Sequence, residues 1–242
     1  MNQIYRTTKT WALLTVASLA FTTIFDAFTF LIGTAQVIGP DYAVQLDDGG
    51  EMSSWLMIQG ILALLQVPVF LATSIVFLVW LNLSYKNLHV LRPSFLNFSS
   101  GWAVGYWFIP FLNLWKPFQV VREVWWESDP EIPQDQMFLT ESLHSAPTYM
   151  GVWWAFWLGS NIANNIAGRM FDLEGTANIA AAGVVFVVTA MLSITAAILA
   201  IMVVRDITSR QAARFLTVRS MEERAAAAAY SRPPDVGTPN WN

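Results

Sequence analysis

The sequence predicts an all-α membrane protein. It has four transmembrane helices and a proline-bracketed helical hairpin, re-entrant or interfacial, between the second and third spans. Three observations predict this. Only 12% of the 242 residues are charged and 55% are hydrophobic, with a mean hydropathy of +0.45; soluble domains carry roughly 25% charged residues. Four apolar runs are long enough to cross a hydrocarbon core, which takes about 20 helical residues. Lys and Arg gather in alternate loops, the pattern of loops retained on the cytoplasmic side. The 12 Trp and 16 Phe residues suit membrane interfaces, where amphipathic rings sit at headgroup level.

The first run covers residues 11–33. Arg6 and Lys9 precede it, and Ser18-Leu19-Ala20 resembles a signal-peptide cleavage site. A signal peptide's apolar region is only about 7–15 residues long. This run continues through Phe28 and Ile32, so we read an uncleaved span. The second run covers residues 55–81 and contains Pro68; the third covers 149–167 and the fourth 178–204. Residues 1–204 thus form a membrane domain. Residues 205–242 read as a basic cytoplasmic helix followed by a disordered tail with Pro233, Pro234 and Pro239. Arg210 and Arg214, four apart, suggest a helix face lying on anionic headgroups or a solvated stop-transfer helix.

The basic residues orient these spans. Arg6 and Lys9 precede the first, while the loop to the second has only acids, Asp41, Asp47, Asp48 and Glu51. Lys86, Arg92, Lys116 and Arg122 lie between the second and third spans, Arg169 alone lies between the third and fourth, and six Arg follow. Four spans with both termini cytoplasmic leave Arg169 as the one basic residue outside. Counting residues 101–126 as a fifth span would carry the six-Arg tail across the membrane, against the charge rule. That segment is therefore expected to enter and return on the cytoplasmic side.

Its own chemistry agrees. Pro110 and Pro117 each remove a backbone donor and disfavour helix at the residue before them. In hydrocarbon the freed carbonyls need protein or water. The expected parse is a short arm from Trp102 to Ile109, a turn over Pro110 to Lys116, and a helix that starts with Pro117 at its first position, where proline is tolerated. On that helix Phe118, Val121 and Trp125 share a face suited to the interface, with Gln119, Arg122 and Glu123 elsewhere. Lys116 is placed to snorkel to headgroups.

The stretch SGWAVGYWFIPFLNLWKPFQVVREVW, Ser100 to Trp125, resembles the hallmark of a bacterial membrane family known only as domain of unknown function 4328. Gly101, Trp102, Pro110, Asn113, Trp115, Pro117, Arg122 and Trp125 carry it, as structural rather than reactive residues. Tyr85-Lys86-Asn87-Leu88, Trp153-Trp154 with Asn161, and the stretch from Val204 to Gln211 are similar to it as well. The likeness spans roughly residues 55–214. One departure is Lys86, where the family commonly has Arg, whose bidentate pairing Lys does not reproduce. The resemblance implies a multi-span protein of the bacterial inner membrane and supplies no activity.

Polar residues inside the spans are costly and tend to face protein or water. Asp26 is the only acid within a predicted span, and it shares a helical stripe with Thr15, Ser18, Thr22, Thr29 and Gly33. Asn161, Asn164, Asn165 and Gly168 form a similar stripe on the third span; Gln59 and Gln66 lie on the second, and Arg169 near the outer end of the third. Two readings stand. Asn and Gln act as interhelical glue, at about 0.6–2 kcal/mol per bond, with Asp26 protonated or paired with Arg169. Or these residues form an outward-facing pocket around Asp26 for a cation or proton. Gly159, Ala163 and Ala167 recur every four positions and are candidates for a close helix crossing.

Little reactive chemistry is encoded. With no Cys there are no disulfides, Cys-ligated zinc, Fe–S clusters or thiol nucleophiles. His89 and His144 are expected in cytoplasmic loops and lack metal-site spacing. No phosphate-cradling loop, dinucleotide fingerprint or nucleophile elbow occurs. The expectation is a non-catalytic scaffold, accessory subunit or interaction module without cofactor, metal or nucleic acid. Its partners would be the bilayer and a protein or second copy met through the membrane or cytoplasmic face, including residues 127–143. The alternative is a small transporter, channel or sensor built on Asp26.

Overall fold

A computed structural model describes residues 5–39, 54–91, 96–131, 146–171 and 179–231. Among these every regular element is helical. The long helices are α1 (Lys9–Ile38), α2 (Ser54–Leu91), α5 (Thr148–Phe171) and α6 (Ile179–Ser231). Between α2 and α5 lie α3 (Ser100–Gly105), single 3₁₀ turns at Tyr106–Phe108 and Leu112–Leu114, and α4 (Lys116–Glu127). The acidic loop beyond residue 131, His144, the tail beyond Ser231 and the side chain of Gln59 lie outside the described residues.

Among the described residues, α1, α2 and α6 are the three helices long and apolar enough to cross a membrane. The expected third span is not among them. At 24 residues α5 is about 36 Å long, but Ser160, Asn161, Asn164 and Asn165 dilute its apolar character. Helix α2 runs through Pro68 without a break, as the apolar environment of such helices permits. It continues to Leu91, so His89 is helical rather than in a loop. Helix α6 has 53 residues, or about 80 Å. That is more than twice a hydrocarbon core of about 30 Å.

The long helices pack in a row: α2 on α1, α1 on α6, and α6 on α5, while α2 and α5 scarcely touch. Of the small residues expected to allow a close crossing on α5, Gly159 does not meet another backbone: a Cβ there would make ordinary contact with Leu192. The close crossing lies between α1 and α6. A Cβ on Gly33 would fall 2.7 Å from the Gly183 carbonyl oxygen, and a Cβ on Gly183 2.7 Å from that of Gly33. Two backbones meet there, and only glycine leaves room.

The hairpin bridges the gap between α2 and α5 at one end of the row. Ser99 caps α3 by accepting the Trp102 N–H, and α4 starts with Pro117 in its first turn. Asn82 Nδ2 donates to the Ser100 carbonyl, and Trp154 Nε1 donates to the Leu114 carbonyl. Rings complete the seam: Trp107 packs edge-on against Phe77 of α2 and against Trp154 and Trp157 of α5. The buried core gathers at this end, around Trp80, Tyr85, Leu88, Val120, Val124, Met150, Val204 and Ile207. Away from it, α1 and α2 turn Phe21, Phe28, Leu31, Leu64, Phe70 and Ile75 outward. Lipid rather than protein is the natural cover for such a surface.

Two amphipathic expectations are corrected here. Val121 and Trp125 of α4 are buried against protein, and Glu123 is buried with them. Arg214 is 2% exposed, and Arg210 pairs with Asp129. These two arginines of α6 therefore face α4 and its loop, not headgroups. A buried guanidinium requires partners, and Asp129 and its carbonyl supply them.

Candidate intramembrane site

Two adjoining cavities occupy the space between the helices. One, of about 350 Å³, is lined by α1, α2, α5 and α6. The other, of about 440 Å³, runs from the same level to the hairpin, where Trp107, Phe108 and Asn113 line it. They share Phe25, Asp26, Gln66 and Asn164. Asp26 thus sits at the junction of the two and is the sole ionisable side chain in either lining. Among the described residues it has no hydrogen-bond or ion-pair partner.

Several neighbouring polar side chains bond within their own helix. Thr15, Ser18, Thr22 and Thr29 donate to carbonyls three or four residues back on α1. Asn161 Nδ2 donates to the Trp157 carbonyl, and Asn165 Nδ2 to that of Asn161, both within α5. Such back-bonding is the local alternative open to a polar side chain in an apolar helix. It leaves the stripe satisfied without a second helix.

The structure brings Asp26, Gln66, Asn161 and Asn164 together on the cavities. Asn165 and Arg169 do not join them; both are exposed on α5. Sequence reasoning missed Thr73 and Thr189, whose buried hydroxyls line the larger and smaller cavity respectively without a protein partner. Trp107 Nε1 and Asn113 Oδ1 are unpartnered too, and both residues line the larger cavity. Unpaired buried polar atoms are rare enough to require an explanation. A cavity wall offers one: their partner is whatever fills the space.

The remaining hallmark residues build the hairpin end. Trp125 Nε1 and the Tyr149 hydroxyl both donate to Asp206 Oδ2, and the Arg210 guanidinium lies 3.9 Å over the Trp125 ring. Arg122 stacks 4.4 Å over Trp126. Trp102 stacks on Tyr106, while Gly101, Pro110 and Trp115 are exposed. Gln211 Nε2 donates to the Ser84 carbonyl, and Asn87 Nδ2 to Gln211 Oε1. Asn87 also clamps the N-terminal segment, accepting the Arg6 N–H and donating to the Arg6 carbonyl.

Beneath this clasp, Glu123 Oε1 accepts the Asn97 N–H and Nδ2, and Glu123 Oε2 lies 2.9 Å from the Tyr85 hydroxyl. That hydroxyl also accepts the Phe98 N–H and sits 2.7 Å from the Phe98 carbonyl. One phenolic proton cannot serve both the carbonyl and Glu123. A proton on Glu123 satisfies both, and burial does push this carboxyl above its ordinary value.

The family model described as Domain of unknown function (DUF4328) matches residues 47–209, well over half the chain. The chain belongs to this family. The match embraces α2 to the part of α6 that ends at Ser209, and so all of the hairpin, while Arg6, Arg210 and Gln211 of the clasp lie outside it. Asp26 and the rest of α1 lie before it. Within the hallmark stretch, Pro117 and Trp125 are buried, Gly101, Trp102, Pro110 and Trp115 are exposed, and Trp107, Phe108 and Asn113 line the larger cavity. No curated protein and no solved structure matches this chain.

Proposed function

We propose that this DUF4328 protein is a non-catalytic protein of the bacterial inner membrane that binds a guest within the bilayer at Asp26, as a small carrier or sensor. The observation that carries this reading is the unpaired Asp26 carboxyl at the junction of two cavities. An intramembrane acid with neither partner nor interhelical duty is costly, and ligand or proton handling is the usual reason for one. In this reading α5 is the third of four spans, both termini are cytoplasmic, and the hairpin dips into the cytoplasmic face and floors the larger cavity. The distribution of basic residues supports that orientation.

An apolar carbodiimide, which modifies carboxyls reachable from the bilayer, tests the site. With the full chain in lipid nanodiscs, Asp26 is expected to be modified, and the adduct at that position to vanish in Asp26→Asn. An Asp26 that stays unmodified while the reagent reaches other carboxyls would refute an open site.

A second reading, a scaffold or accessory subunit, is favoured by the far end of α6. There the helix continues to Ser231 with Arg219 and residues 221–230 exposed and the Arg219–Glu223 ion pair in solvent.

A further inference from the structure

Resting on the intramembrane-site reading, we infer that the guest is an apolar organic monocation, held with its charge at Asp26 and its hydrophobic bulk in the larger cavity. Charge balance comes first. Asp26 is the sole ionisable group in the lining of both cavities, so one positive charge leaves the loaded site neutral and two leave it charged in hydrocarbon, which is costly. An anion would double the unpaired negative charge.

The lining then separates organic from inorganic cations. A divalent metal ion wants roughly six to eight oxygen ligands in place of its water, and here one carboxylate stands among mostly apolar groups. Phe77, Trp107, Trp153 and Trp157 line the larger cavity instead, with Phe77 and Trp107 centred 5.3 Å apart and Trp107 and Trp157 5.4 Å apart. Aromatic faces attract alkylated and aromatic cations that have no hydration shell to lose. Apolar walls with a few placed polar groups are typical of small-molecule sites, whose volumes run from about 300 Å³ upward; this cavity has about 440 Å³. The unpartnered Thr73 hydroxyl, 7% exposed, is a further polar contact on the same wall. Finally, α2 and α5 scarcely touch, so no helix–helix seam closes the side of the cavity between them. A guest that partitions into the bilayer suits such an opening.

The test pairs two probes of equal shape and opposite charge, tetraphenylphosphonium and tetraphenylborate. Each is titrated against the full chain in nanodiscs and followed by Trp emission, with partitioning into protein-free nanodiscs subtracted. The expected result is saturable binding with at least a tenfold preference for the phosphonium. That preference should be lost in Asp26→Asn and retained in Asp26→Glu. It should weaken in acid, because Asp26 is the one group in the lining that takes up a proton, and bound phosphonium should protect Asp26 from the carbodiimide. Equal binding of the two probes, or an unchanged preference in Asp26→Asn, would overturn the inference. Carbodiimide modification of Asp26 without phosphonium binding overturns it too, yet leaves the open site standing. Failure of both experiments removes the site itself.

Discussion

Replacing Gly33 or Gly183 by alanine puts one methyl group where two helix backbones meet. The new Cβ would lie 2.7 Å from the opposing carbonyl oxygen, whereas ordinary contact begins at 3.4 Å. The shortfall of about 0.7 Å must come from α1 and α6 parting. The next closest atoms, the Cβ of Phe186 or of Gln36 at 2.9 Å, cannot swing aside as a side-chain tip would. Overpacking of this kind costs about 1–3 kcal/mol. Alanine returns about 1 kcal/mol through its better helix propensity, so a net loss of about 0–2 kcal/mol per variant is expected. The double variant should lose less than the sum of the two, because one separation of the helices relieves both clashes. Gly151→Ala is the control: a Cβ there meets nothing within 4 Å, so only the propensity gain applies. Unfolding in mild detergent, followed by circular dichroism, reads all four variants. If Gly33→Ala or Gly183→Ala stabilises as much as Gly151→Ala, the backbones are not in contact and the crossing is wrong.

Two further outcomes follow from the hairpin end. Tyr149→Phe removes only the hydroxyl that donates to Asp206 at 2.7 Å. It should cost about 1.5 kcal/mol, the low end for a bond to a charged group, because the site is partly exposed; a double-mutant cycle with Asp206→Asn should show the two effects coupled, and additivity would contradict the bond. Glu123 has its carboxyl pushed up by burial, so the folded chain holds this proton more tightly than the unfolded one. The proton's contribution is thus fully present in acid and declines as pH rises from the ordinary carboxylate range through the raised value. Glu123→Gln, which keeps a donor toward Tyr85, should remove that slope from a series of unfolding curves against pH; an unchanged slope would show that Glu123 is not its source.

Hydropathy, proline chemistry and charge were sufficient to place the helices. The arm, turn and helix expected between Trp102 and Trp126 appear as α3, two 3₁₀ turns and an α4 that begins at Lys116, with Pro117 in its first turn. These features are local: a proline constrains its own φ and the residue before it, and an apolar run declares itself within one window. The stripe holding Asp26 was legible for the same reason, since a helix fixes which residues share a face.

Tertiary structure decided what each face meets. Periodicity marked Arg210 and Arg214 as a basic face, and nothing nearby in sequence reveals that Asp129 lies opposite it, 81 residues away from Arg210. Trp125 and Asp206 are likewise 81 residues apart, and Asn87 and Gln211 are separated by 124. Gly183 carries no mark in sequence that distinguishes it from Gly159, yet it alone of the two meets a backbone. The cavities are the extreme case. They arise because α2 and α5 scarcely touch, and packing that two helices do not make leaves no pattern in either. The sequence by itself marked three helices as apolar enough to cross a bilayer and placed Asp26 in one of them. Only the packing of the row, with the hairpin across its open end, decided that Asp26 faces a space rather than a partner.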